Sequence, residues 1–303
     1  MSADLPITPS VAAAPASPLA ALARREVVRY ARHPLFLIGL VLLVAGEATS
    51  DDPAVRSTYL LHVLLPAFTI GALGIVVEYR LARGSDRLAE TSGSPSLGLY
   101  ERTLGLVAGM GVPLLVGLLW FVFAVVRYTG TDTPPDGFPF GGVGDAWAYG
   151  VMFSLGVVSC VGGPVVGLLL ARWFPRRGIA VVTAVLLVIA VMVMQGNIES
   201  LRFVRVVMPF TWFGNQFGVP GDDERMVILT GSPLWYSAYL VALCVLGILV
   251  ALYRDRERPR ARLRRTIWAT VAVAVVLCGL AMTQGVQETM VNPVPTGQTS
   301  APG

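Results

Sequence analysis

The chain has 303 residues, 54% of them hydrophobic and only 14% charged, with a formal net charge of +4 and a mean hydropathy of +0.67. Soluble domains carry about 25% charged residues, so this balance excludes a soluble globular protein and specifies a polytopic membrane protein. Its cationic side chains are all arginine; without lysine there is no P-loop, whose phosphate-binding run ends in Gly-Lys-Ser/Thr.

Met1 to Pro18 is rich in Ala, Pro and Ser and reads as a disordered tail. Residues 19–33 follow a helical period: Leu19, Leu22, Ala23, Val27 and Tyr30 form one stripe, with Arg24, Arg25 and Arg32 opposite. A basic amphipathic helix of this kind suits the cytoplasmic membrane surface. Glu26 falls on the apolar stripe, either as a polar contact to a neighbouring element or as a glutamate snorkelling to the surface. The charge-free core Leu35–Gly46 is short, so a first span is predicted from about Tyr30 to Thr49, with Arg32 snorkelling. Further charge-free runs cover Ser57–Val77, Thr103–Val126, Ala146–Ala171, Gly178–Ile198, Leu234–Tyr253 and Thr266–Gln287. Each matches the roughly 20 residues that a hydrocarbon core requires. The expected fold class is therefore all-α: a bundle of seven spans over residues 34–287, with a flexible tail at 288–303.

Arginine placement orients the bundle. One side receives Arg24 to Arg32, Arg80 to Arg102, Arg172 to Arg177 and the dense run Arg254 to Arg265; the other holds only Arg56, Arg127, Arg202, Arg205 and Arg225. The N-terminus is expected in the cytoplasm of a bacterial cell and the C-terminal tail outside. Tyr59, Tyr128, Trp147, Trp235 and Tyr236 fall at outer ends, and Tyr79, Trp173, Tyr253 and Trp268 at inner ends, as an interfacial belt requires. The run Arg254–Arg265 reads as an inner-leaflet anchor, not a nucleic-acid patch.

Two outer segments are long. Arg127–Asp145 is Gly- and Pro-rich and should be irregular. Residues 199–233 mix apolar and aromatic residues too densely for a solvated loop, which predicts a helical hairpin dipping into the outer leaflet, broken at Pro209 and Pro220. It is either a plug for the outer mouth or a packed cap.

Chemistry within the spans is sparse. Glu47, Glu78 and His62 are the ionisable groups near them, whereas ion-coupled carriers keep such groups at mid-depth. His33 and His62 fall on opposite sides, leaving no metal-ligand pair and no nucleophile with a base, so no catalysis and no metal site are expected. Cys160, Cys244 and Cys278 each sit in an apolar run as small hydrophobes. Gly105/Gly109 and Gly163/Gly167 are small-xxx-small pairs, for packing within one subunit or at a dimer or moving interface. Pro66, Gly71 and Gly74 could loosen the second span.

The charged island 78–103 between the second and third spans carries the most specific local signals. Gly84-Ser85 predicts the start of a short helix, with Ser85 as N-cap, Asp86 in its first turn and Leu88 and Ala89 on its apolar face. Gly93 would stop it. Ser94-Pro95 would open a second helix, and Glu101-Arg102 leads into the third span.

The order of these parts resembles the permease subunit of ABC-2 type transporters, particularly actinobacterial members. The amphipathic helix of that family has the form RRE…R…HPLF, matched by Arg24-Arg25-Glu26, Arg29 and His33-Pro34-Leu35-Phe36. Gly84-Ser85, Pro95-Ser96 and Arg102 match its charged stretch, Pro209-Phe210-Thr211-Trp212 its outer hairpin, and Tyr253-Arg254-Asp255-Arg256 its arginine-rich stop. The resemblance covers about residues 19 to 258, and the seventh span departs from the family's six. It implies an exporter permease that binds no cofactor itself and pairs with a second permease half, identical or different. ATP and Mg²⁺ would sit on separate ATP-binding subunits. Arg83, Asp86, Arg87 and Glu90 would form the coupling element, flanked by Glu26 and Arg29. The alternatives are a membrane sensor or assembly protein binding a ligand through its outer loops, and an ion-coupled secondary transporter.

Overall fold

The computed structural model describes residues 17–49, 60, 63–91, 98–130, 144–196, 204–211, 213–215, 226–255, 260–287 and 290–292. They form helices α1 (Pro18–Ala31) and α2 (Pro34–Thr49), then α3 (Leu64–Glu90), α4 (Leu99–Gly130) and α5 (Asp145–Trp173). Helix α6 (Ile179–Gly196) follows, then α7 (Pro233–Leu252) and α8 (Arg260–Thr283). By length and composition, five of these (α3, α4, α5, α7 and α8) can cross a membrane, and the bent pair α1–α2 would make six. The expectation of seven spans also included α6, whose apolar stretch is the shorter Ile179–Val191.

The outer surface is apolar. Val41, Leu119, Val126 and Val275 are each more than 60% exposed, as they should be on a protein whose solvent is lipid. Helices α3 and α5 are the most enclosed, and α8 is the most peripheral.

Two expected boundaries move. The first span is not one helix: the chain turns by 54° between α1 and α2. Pro34 disfavours helical backbone at His33 and has no N–H to continue the ladder. The imidazole Nδ1 of His33 instead accepts from the Leu35 N–H at 3.3 Å. The second span, described from Leu64, runs on into the charged island as one helix to Glu90. Ser85 is therefore not an N-cap. Glu78, Leu81, Ala82 and Ser85 are all buried, and their i, i+3, i+4, i+7 spacing is one helical stripe, so burial overrides the local start signal. Gly93 and Ser94-Pro95 lie outside the described residues, and so does His62.

In the segment 199–233, expected on the outer side, the described residues hold no helical hairpin. They form a 3-10 turn, Val204–Val207, and two short strands, β1 (Gly214–Asn215) and β2 (Met226–Ile228). A third strand, β3 (Met290–Asn292), comes from the segment expected to be a flexible tail. The antiparallel order is β1-β2-β3, with Val227 opposite Val291. Beside it, Gly231 and Val286 exchange backbone hydrogen bonds of 2.6 and 3.2 Å. β-Branched residues favour such a ladder, and it ties the end of α8 to the start of α7.

Both small-residue pairs have partners inside this chain. A Cβ at Gly163 would overlap the Gly71 carbonyl, and one at Gly167 the Ile75 carbonyl, so α3 and α5 run parallel at backbone contact. A Cβ at Gly105 would lie 2.7 Å from the Leu22 side chain, and one at Gly109 lies 3.4 Å from the Glu26 carbonyl oxygen, which seats α1 on α4. Gly71 lies in a π-helical stretch, Ala67–Ala72, with Pro66 just before it and Gly74 just after. A second π stretch, Phe153–Val158, lies in α5. Gly163→Val and Gly167→Val should each lower stability by about 1–3 kcal/mol through overpacking, read as the thermal midpoint of the detergent-solubilised protein. Gly279→Val, on the open face of α8 with nothing within 4 Å, should leave that midpoint unchanged.

Candidate functional site

The charged residues at the arginine-rich end converge on Asp86. Its carboxylate accepts from Arg172 Nη1 through both oxygens at 2.8 Å, and from Arg102 Nη1 at 3.3 Å. Arg83 Nη1 stands 3.9 Å away. These partners come from α5, α4 and α3, so one side chain joins three helices. The pairing is largely enclosed, with Arg172 2% and Asp86 15% exposed. Charged hydrogen bonds gain strength away from water. Arg254 at the end of α7 extends the cluster, stacking over Trp173 at 5.6 Å and directing Nε to the Arg172 carbonyl at 3.4 Å. Tyr79 closes the same end by donating to the Arg176 carbonyl at 2.7 Å.

Helix α1 brings its own pair. Arg29 Nη1 donates to both oxygens of Glu26 at 2.7 Å. Glu26 is buried, and the misfit on the apolar stripe is thus resolved within its own helix, one turn away. Arg29 also lies 3.2 Å from where a Cβ of Gly84 would sit. Gly84 therefore provides the close approach of α1 to α3 and does not begin a helix. Tyr30 is enclosed beside this pair, edge-on to Phe36 at 5.3 Å. Among the described residues, neither oxygen of the fully buried Glu78 nor the Tyr30 hydroxyl has a hydrogen-bond partner.

The six residues expected to couple to a partner thus divide. Glu26, Arg29, Arg83 and Asp86 are held in ion pairs inside the chain. Arg87 and Glu90, with Leu88 between them, are exposed on the other face of α3. Sequence reasoning missed Arg172 and Arg102 as partners of Asp86. Both have the ordinary look of arginines at span ends, and the separation of 86 positions between Asp86 and Arg172 hides the pairing from any local pattern.

A second feature runs along the bundle from Phe210 to Val250. Helices α5, α6 and α7 enclose an apolar cavity of about 390 Å³, lined by Val165, Leu169, Leu187 and Leu243 and bounded by Pro209 and Phe210. The turn that carries Pro209 and Phe210 is pinned to α7. The Tyr236 hydroxyl accepts from the Thr211 N–H at 2.9 Å and donates to the Met208 carbonyl at 2.6 Å, while Tyr239 donates to the Val207 carbonyl at 3.1 Å. Phe210 has φ of 64°, a conformation that a bulky residue adopts only when its surroundings compel it. Of the expected Pro-Phe-Thr-Trp segment, Trp212 lies outside the described residues.

No protein-family model matches the chain, and no curated protein matches it either.

Asp86→Asn should destabilise the protein by about 3–5 kcal/mol, because it leaves enclosed arginines without their counter-charge. Asp86→Leu combined with Arg172→Met should restore much of that loss, measured by thermal unfolding in detergent. Tyr236→Phe removes both bonds to the 208–211 turn and should cost about 1–3 kcal/mol, with faster amide exchange at Thr211 as the direct readout.

Proposed function

We propose that this chain is the permease subunit of an ATP-driven exporter of the ABC-2 kind, forming the translocation path and coupling to a separate ATP-binding subunit. The observation that carries this reading is the joining of α3, α4 and α5 at the arginine-rich end through Asp86, with α1 seated against Gly105 and Gly109 of α4 and Gly84 of α3. A force applied to that face moves several spans together, as coupling to an external motor requires. The exposed Arg87, Leu88 and Glu90 offer the partner a docking edge, while the enclosed pairs transmit its push. The apolar cavity beside Phe210 suits an apolar or amphipathic cargo, and the motif order from the amphipathic helix to the arginine-rich stop favours this family. In this reading the arginine-rich end faces the cytoplasm and a second permease half completes the path.

The full-length chain purified from its native membranes should retain a P-loop ATPase. Glu90→Arg should lower the hydrolysis of that complex several-fold and leave the thermal midpoint unchanged, whereas Asp86→Asn lowers both. Transport that proceeds with no ATPase present, or that collapses with the proton gradient, would overturn the proposal in favour of an ion-coupled carrier.

A further inference from the structure

Next to the Asp86 cluster is a second cavity, of about 520 Å³, whose lining includes Arg83, Arg172, Arg254, Asp86, Asp255 and Pro175. Three guanidinium groups face two carboxylates there, and Arg102, bonded to Asp86 from α4, adds a fourth cation. Glu78 lies behind Arg172 and would reduce the excess without removing it. Arg172 is almost fully enclosed, and its Nε and Nη2 have no hydrogen-bond partner among the described residues; Arg102 Nε has none either. Enclosed guanidinium N–H groups are costly to leave unpaired. A cavity with excess positive charge beside spare guanidinium donors is built for an oxyanion, and arginine forks match the geometry of phosphate.

The surroundings identify which phosphate. Trp173 and Phe174, 42% and 60% exposed, immediately precede the lining residue Pro175, and Arg254 stacks on Trp173. Exposed aromatic rings at a span end mark the headgroup level of a bilayer, and the apolar faces of α6 and α7 continue from there along the acyl-chain region. We propose that this cavity binds the phosphate of an anionic phospholipid, held by Arg83, Arg172 and Arg254, with its chains on the outer surface of the bundle. The site joins α3, α5 and α7, so an occupied cavity holds these three ends together. This inference rests on the cavity alone and stands independently of the exporter reading.

The test is native mass spectrometry of the full-length protein in detergent, titrated with phosphatidylglycerol, with diacylglycerol of the same chains, and with inorganic phosphate. Phosphatidylglycerol should remain bound at one per chain and diacylglycerol should not. Arg254→Gln and Arg83→Gln should each weaken the retained lipid by at least about tenfold, the effect of losing one charge-assisted hydrogen bond. These two variants keep the Asp86–Arg172 pair, and an unchanged thermal midpoint without lipid shows that each is folded. Saturable binding of inorganic phosphate that Arg254→Gln abolishes, without retention of the lipid, would keep the oxyanion site and assign it to a soluble anion. Equal retention of phosphatidylglycerol and diacylglycerol, or unaltered lipid binding by both variants, would overturn the proposal.

Discussion

The structure depends on one carboxylate. Arg102 and Arg172, two cations from two different helices, are brought within hydrogen-bonding reach of Asp86 in an enclosed setting. Without a shared anion, their mutual repulsion and lost hydration would drive α4 and α5 apart. Much of the arginine-rich end follows from satisfying that requirement. Helix α3 continues well past the apolar stretch because Asp86 must be carried to Arg172. The backbone contact of α3 with α5 at Gly71/Gly163 and Ile75/Gly167 sets the register in which that meeting occurs.

The two ends of the bundle are linked through the same inner helices. Helix α7 holds the 208–211 turn with Tyr236 and Tyr239 at one end and reaches the cluster with Arg254 at the other. Helix α5 lines the apolar cavity with Val165 and Leu169 and then ends in Arg172. A displacement of either helix along its axis therefore acts on both sites, and the peripheral α8 can follow through its backbone tie to the start of α7.

What the sequence disclosed, and what it concealed, follows from the range of each interaction. Apolar runs and their arginine flanks are local signals, so the helical bundle was legible, as were the small-residue pairs and the anomaly of Glu26. Ser85 was misread because a capping signal is worth about 1 kcal/mol, less than burial of the stripe through Glu78, Leu81 and Ala82. The outer ribbon escaped notice because β2 and β3 lie 62 or more residues apart, as in the pairing of Met226 with Asn292 and Ile228 with Met290. Strands of two or three residues leave no periodicity to detect. Asp86 stood out in the sequence only as a charge within the island; its partners Arg102 and Arg172 could be found only in three dimensions.

The two π-helical stretches have a mechanical consequence. Ala67–Ala72 in α3 and Phe153–Val158 in α5 follow one another along the seam where these helices touch, with Gly71 against Ser159 and Cys160 facing Pro66. A π turn widens the helix and interrupts the regular i→i−4 ladder, and Pro66 removes a donor beside it. This closely packed pair thus carries its irregular backbone well away from the ionic cluster. A bend at this level would tilt the segments on either side as two arms about a shared elbow and leave the ion pairs of one arm undisturbed.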